Sequence, residues 1–204
     1  MSSTDNIDWE SEVVRLTQSI RSNLLFASYY LTAYEVLITT VTSIPSNFFV
    51  NRYLHSKERM QDSLTSQMKR YKDEIGIDYS STDQEKLLPT FRWFQKLEAI
   101  DEQDIEKMET ISKLWSDLTN NLPDYILSED SFIDFAIFTQ IRDLLRTIEL
   151  FWVRFGEPML DLNTGDIVDT YDVPDEDITS GSQAVLTLIT SAVLEYEQLF
   201  HIDS

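Results

Sequence analysis

Apolar residues recur every three or four positions over the first fifth of the chain. The stripe runs from about residue 8 to residue 44 and comprises Val13, Leu16, Ile20, Leu24, Ala27, Leu31, Tyr34, Ile38 and Val41. This spacing places all of them on one face of an α-helix. It predicts one long helix, or two helices broken near Ser22-Asn23. Pro45 is expected to end it, because the proline ring disfavours helix in the residue before it.

Two further helices are predicted between residues 46 and 99. Ser46-Asn47 can cap the second helix, which should stop before Gly76. Thr82 and Glu85 have the spacing of a capping box, in which each side chain accepts a hydrogen bond from the other residue's backbone amide. They predict the start of a third helix, which extends to Ala99.

Three more helices complete the predicted fold. Asp101 caps a helix that ends near Asn120, and its apolar stripe is Ile105, Met108, Ile111, Trp115, Leu118 and Leu122. The next helix starts at Ser128 or Asp130 and ends at Gly156. After an acidic connector, residues 157–181, the last helix spans residues 183–200 on the stripe Ala184, Leu188, Ala192, Tyr196 and Leu199. We therefore expect an all-α protein, a single domain of residues 1–204 with six or seven helices around one core.

The composition excludes several kinds of site. The 204 residues include no cysteine, so disulfides and thiolate metal sites are excluded. His55 and His201, the two histidines, each lack a neighbouring second ligand and are expected at the surface. Residues 161–172 resemble a calcium loop, but Gly165 stands at its fifth position instead of the sixth, so we interpret them as an acidic turn. We expect no metal and no cofactor.

The charge distribution bears on partners and location. The formal net charge is −20, and eight acids lie between residues 157 and 177. This acidic stretch either keeps the protein soluble or meets a basic partner. Residues 52–72 form a mildly basic face, which is the one positively charged counterpart to these acids. Because the overall charge is strongly negative, we do not expect direct binding to nucleic acid. The polar, acidic start differs from a signal peptide, and polar residues interrupt the apolar stretch 24–44, so we expect a cytoplasmic protein without a membrane span.

Three stretches together resemble HEPN-like proteins, a family of small helical bundles that includes many prokaryotic ribonucleases. They are residues 24–49, the helix that follows Ala99-Ile100-Asp101, and residues 150–152 with the acidic loop and final helix after them. The resemblance covers most of the chain. It implies an all-α bundle, commonly a homodimer in which two motif helices face each other.

The same resemblance indicates that the usual chemistry is absent. In active members the motif helix carries an arginine and a histidine that line a cleft at the dimer interface and cut RNA. The matching positions here hold Trp115 and Asn120. A tryptophan cannot stabilise a phosphorane-like anion as a cation does, and an asparagine cannot transfer the proton. The resemblance therefore implies no catalytic residues at the motif.

These observations lead to a functional expectation with two alternatives. We expect a non-catalytic HEPN-like protein that acts through protein contacts, by analogy in prokaryotic defence or a toxin–antitoxin system. A homodimer is expected, with Trp115, Leu118 and Leu122 as the candidate interface. One alternative is a divergent ribonuclease that grips phosphate with Arg142 and Arg146, unless these pair with Asp143 or Glu149. The other is an acidic inhibitor that mimics nucleic acid.

Overall fold

A computed structural model of the protein describes residues 9–50, 60–128, 133–156, 159–160, 167–168 and 173–200. In this part of the chain the helices are α1 Trp9–Phe49, α2 Met60–Ile75, α3 Asp83–Lys96, α4 Glu102–Asn120, α5 Leu122–Leu127, α6 Phe135–Gly156 and α7 Gly181–Phe200. A 3₁₀ turn spans Asp175–Asp177, and β1 Met159–Leu160 pairs antiparallel with β2 Ile167–Val168. The expected all-α bundle of six or seven helices is confirmed.

The long helix α1 is the centre of the bundle and contacts each of the other six described helices. It is unbroken at Ser22-Asn23. A row of buried positions along it alternates in steps of four and three residues: Asn23, Ala27, Tyr30, Tyr34, Leu37, Val41 and Ile44, with Phe26, Ala33, Ile38 and Thr42 beside the row also buried. This is the seven-residue repeat of helices that pack along a shared seam.

The predicted stripe on α1 is only partly correct. Leu24 is 49 % exposed, while Tyr30 and Leu37, which the stripe left out, are completely buried. Neighbouring rows of α1 are both apolar, so periodicity alone allowed either row to be assigned to the core. Packing against six helices covers members of both rows from Asn23 onward, so the stripe members Ala27, Tyr34, Ile38 and Val41 are buried as well.

The prediction that Pro45 ends the first helix is wrong. Proline lacks the amide that would bond the Val41 carbonyl, yet α1 continues to Phe49. The reason is tertiary packing beyond the proline: the Phe48 ring meets Trp152 at a centroid distance of 5.4 Å, and Phe49 meets Trp93 at 5.8 Å. These aromatic contacts offset the lost hydrogen bond.

As a consequence, Ser46-Asn47 lies inside α1 and does not cap the second helix. The Ser46 hydroxyl donates to the Thr42 carbonyl at 3.0 Å. The start predicted for the second helix falls partly at residues 51–59, outside the described residues. Its predicted end before Gly76 is correct, and Gly76 has the left-handed φ of +87° that favours glycine.

Helix starts that depend on local caps are correctly predicted. Thr82 and Glu85 form both bonds of a capping box at α3. Asp101 caps α4 and is bonded in return by Asp104. The α3 helix ends at Lys96, three residues before the predicted end, where the Ala99 amide bonds back to the Phe94 carbonyl at 3.0 Å.

Between α4 and α6 the structure differs from the prediction. The short helix α5 was not predicted; Pro123 lies in its first turn, where a missing amide costs no helical bond. The Ser128 amide bonds the Asp124 carbonyl at 3.0 Å and closes α5, so Ser128 does not start α6. The α6 helix begins at Phe135, and Asp130 lies outside the described residues.

The buried face of α7 is also different from the predicted one. Leu188, placed on the predicted stripe, is 71 % exposed, whereas Leu186, Ile189 and Val193 are buried. This helix carries apolar residues on more than one side, so its sequence does not specify which side faces the core. The contacts with α1 and α6 decide it.

Candidate functional site: the motif helix and the free end of α1

The motif position Trp115 packs inside its own chain. Its ring stacks on Tyr34 of α1, with centroids 5.2 Å apart and planes 19° from parallel. The Tyr34 hydroxyl donates to Gln84 Oε1 at 2.8 Å and lies 3.3 Å from Ser112 Oγ. Burial raises the pKa of Tyr34, so the phenol stays a neutral hydrogen-bonding group. Trp115 is half-buried, and its stacking on Tyr34 joins α4 to α1.

The second motif position, Asn120, is exposed and lies on a different side of α4 from Trp115. Its amide donates to Ser116 Oγ at 3.3 Å within α4. Five residues along an α-helix correspond to a rotation of about 140°, so Trp115 and Asn120 do not share a face. The structure therefore does not bring the two motif positions together within one chain.

The candidate interface residues have different surroundings. Leu118 is 2 % exposed and belongs to the core, so its side chain is already covered by its own chain. Trp115 and Leu122 are partly buried and pack against that core. The motif helix thus presents less free apolar surface than its sequence suggested.

An open groove of about 370 Å³ lies beside the end of α4. The Tyr125 hydroxyl is buried, and this burial raises the pKa of Tyr125 to about 12. Two carboxylates at this groove repel phosphate, so it does not favour a nucleic-acid ligand. The lining residues are Leu114, Asp117, Leu118, Asn121, Asp124, Tyr125 and Ser128.

Asn23, a buried polar residue of α1, bonds the backbone at the end of α5, beside this groove. Its amide nitrogen donates to three carbonyls at the end of α5: Tyr125 at 3.3 Å, Ile126 at 3.2 Å and Ser128 at 2.7 Å. The last carbonyls of a helix have no amide of a following turn to bond them, so a side-chain donor at this point stabilises the helix end. Asn23 was interpreted as a possible break in α1, and the structure instead shows it as the residue that closes α5.

The two arginines considered for a phosphate grip are already engaged. Arg142 donates to the Asp143 carboxylate at 3.0 and 3.1 Å. Arg146 donates to the backbone carbonyls of Asp175 and Ile178, which fasten the end of the acidic connector to α6. Arg142 thus forms the ion pair with Asp143 that was the alternative to a phosphate grip, and Arg146 bonds backbone carbonyls of the acidic connector.

Several other candidate residues fall outside the described part of the chain. They include His55, His201, the acidic side chains of the calcium-like loop and the first half of the basic face. In that face, Lys72 pairs with Asp78 at 2.9 Å. The described residues include no group of three or more histidine, cysteine, aspartate or glutamate side chains that could hold a metal ion.

The largest feature missed by the sequence analysis is the free end of α1. None of its side chains from residue 9 to residue 22 is buried. The four–three spacing of the buried seam nevertheless continues into this segment as Trp9, Val13, Leu16 and Ile20. Trp9 is 70 % and Val13 58 % exposed. The predicted stripe already contained Val13, Leu16 and Ile20, but spacing alone does not show whether such residues are covered.

By length and composition α1 also meets the requirements for crossing a membrane. Its best 18-residue window has a mean hydropathy of 1.3, and 44 % of that window is buried inside the fold. The expectation that this stretch is too polar to span a bilayer was therefore too strong. Burial by the surrounding helices is consistent with the core helix of a soluble protein.

Comparison with known proteins gives no match: no family model, no curated protein and no solved structure matches this chain.

Proposed function

We propose that the protein is a non-catalytic, HEPN-like helical protein of the cytoplasm that acts by binding another protein chain. The HEPN-like assignment and a setting in prokaryotic defence or a toxin–antitoxin system rest on the sequence resemblance. The binding role rests on the free end of α1, where a row of apolar side chains continues the line of the packed seam and its members Trp9 and Val13 are mostly exposed.

The exposure of this row carries the proposal. A tryptophan that is 70 % exposed and a valine that is 58 % exposed lie on the same side of one helix. Contiguous apolar surface of this kind marks contact sites, because burying it in a complex is favourable. An isolated helix of about this length is also marginal in water, so a partner would stabilise its helical state.

The competing functions gain less support from the described residues. A divergent ribonuclease would require cations free to contact phosphate, whereas Arg142 and Arg146 are bonded within the chain. An inhibitor that mimics nucleic acid would present the acidic connector, and Asp175 in its last part is bonded to Arg154. Protein contact through α1 is the function that the geometry supports best.

Photo-crosslinking in cells that carry the natural gene tests the proposal. A photoreactive phenylalanine analogue replaces Trp9, and a matched variant carries it at Gln18. The two positions are about 180° apart on the helix. We expect a discrete protein adduct from position 9 and none from position 18. No adduct from position 9, or equal adducts from both, contradicts a binding role for this row.

A further inference from the structure

We infer that the open groove beside the end of α4 is a docking site for a basic, amphipathic helix of a partner protein. This site goes beyond the proposed role of the free end of α1. Asn23, which bonds the backbone beside the groove, lies roughly 21 Å along α1 from Trp9, so the two surfaces are separate.

Two helix sides form the groove and meet at Asn121. Residues spaced by three or four positions lie in one row along a helix. The row on α4 comprises Leu114, Asp117, Leu118 and Asn121, and the row on α5 continues from Asn121 to Asp124 and Tyr125. The space between two such rows accepts the side chains of a further helix, as in ordinary helix packing.

The lining combines an apolar base with one carboxylate from each helix. Leu118 is 2 % exposed and lies at the base, and Leu114 and Tyr125 are partly buried beside it. Asp117 and Asp124 are exposed. Each of the two acids precedes a residue of the apolar base in the sequence. An occupant that packs apolar side chains on the base therefore brings its flanks close to both carboxylates.

Charge selects a cationic occupant. Neither Asp117 nor Asp124 has an ion-pair partner among the described residues. The groove is lined by no lysine or arginine, and residues 129–132, which follow in the chain outside the described part, contain none. The formal net charge of −20 also attracts a basic partner from a distance. An apolar stripe flanked by lysine or arginine satisfies both parts of the lining.

The groove is held in shape before anything binds. The Asn23 amide donates to the carbonyls of Tyr125, Ile126 and Ser128 at 3.3, 3.2 and 2.7 Å, which fixes the end of α5 against α1. Pro123 restricts the backbone in the first turn of the same helix. A preformed site loses less conformational entropy on binding than a flexible one.

The open form of the groove favours a helix over a small molecule. Small-molecule sites enclose most of the surface of their ligand. This groove of about 370 Å³ is open, and both of its carboxylates are exposed. A helix inserts one apolar row and keeps its basic side chains at the edge, where they contact the carboxylates and water.

Two synthetic peptides of about 18 residues, five turns of helix, test the site with the full-length chain. Both contain the same numbers of leucines and lysines. In the striped peptide the leucines recur at helical spacing, and in the shuffled peptide they do not. NMR of the isotope-labelled protein should show shifts of the amide signals of residues 114–128 with the striped peptide. We expect it to bind at least about fourfold more tightly than the shuffled one, the equivalent of one further buried methylene group.

Substitution of the two acids tests the charge. Asp117→Asn combined with Asp124→Asn keeps the shape of both side chains, and we expect it to weaken binding of the striped peptide roughly three- to tenfold, as for two exposed ion pairs. Asp73→Asn combined with Glu74→Gln, at two exposed positions of α2, removes the same charge and is the matched control. Its affinity should stay within about twofold of wild type, since distant exposed charges are screened by salt.

Each other result overturns the inference. Equal binding of the two peptides, or equal weakening by the two double substitutions, shows attraction to the net charge alone. Shifts of the Trp9 side chain without shifts at residues 114–128 show that only the free end of α1 binds the peptide. Shifts at residues 114–128 with octylammonium but not with the striped peptide show a small-molecule site. The same shifts on concentrating the protein alone show a second copy in the groove. No shift at the highest soluble peptide concentration shows that the groove binds no such helix.

Discussion

Asn23 shows how one polar side chain can hold two helices in place. It is 7 % exposed on the seam of α1, where an apolar residue would be expected, and it donates to three carbonyls at the end of α5. Buried polar groups are costly unless bonded, and here donor and acceptors satisfy each other. The position of α5 therefore depends on a residue more than 90 positions earlier in the chain.

We expect Asn23→Ala to lower the free energy of unfolding by about 1–3 kcal/mol, because the part-buried carbonyls at the end of α5 lose the amide that donates to them. Urea unfolding followed by circular dichroism measures the change. Asn120→Ala is the matched control: it is exposed and bonded only within α4, so its effect should stay within about 0.5 kcal/mol. Equal effects of the two substitutions would show that the bonds of Asn23 contribute little.

At the scale of elements, the junction of α6 and α7 is built from a few polar bonds. The Ser180 hydroxyl lies 2.8 Å from both carboxylate oxygens of Glu149 on α6, and it accepts from the Gln183 amide at 3.0 Å in the first turn of α7. Glu149 is 8 % exposed. One hydroxyl thus caps a helix and satisfies a buried carboxylate.

We expect Ser180→Ala to destabilise the protein by about 1–3 kcal/mol, since it removes the cap of α7 and leaves the buried Glu149 carboxylate without this donor. Thermal or urea unfolding measures the loss. Thr187→Ala, at an exposed position of the same helix, is the comparison and should have a negligible effect. A similar stability for both variants is inconsistent with a capping role.

Elements with a local cause could be predicted from the sequence, and those with a distant cause could not. The caps Thr82 and Asp101 and the stop at Gly76 involve residues close together in the chain, so their patterns were sufficient. The continuation of α1 through Pro45 depends on aromatic residues of α3 and α6. The sequence around Pro45 gives no indication of those contacts.

The same distinction between local and distant causes applies to the candidate site. The sequence predicted the start of α4, and it shows Trp115 and Asn120 at the positions where the resemblance implies arginine and histidine. It could not show that Trp115 stacks on Tyr34 or that Arg146 is bonded to backbone carbonyls, because those partners are 81 and about 30 residues away. The exposed residues at the start of α1, Trp9 and Val13, could be recognised only from the structure, because only the burial of each residue shows where packing within the chain ends.

For the whole molecule, we expect no cleavage of single-stranded RNA, with or without magnesium. The motif holds Trp115 and Asn120, and the groove beside it carries Asp117 and Asp124. A labelled RNA incubated with purified protein measures the activity, with Arg142→Ala in parallel. Cleavage that persists through repeated purification and is lost in Arg142→Ala would favour the divergent ribonuclease.

The central position of α1 also has a consequence for the order of folding. Helix α1 is synthesised before the helices that cover its seam, and α7 is the last of these in chain order. Roughly 130 residues separate the two, which corresponds to roughly 7–26 seconds of translation at about 5–20 residues per second. During that interval the side of α1 that packs against α7 lacks this cover. The native bundle can close only once α7 has left the ribosome, so we expect chaperones to bind the nascent chain in this interval.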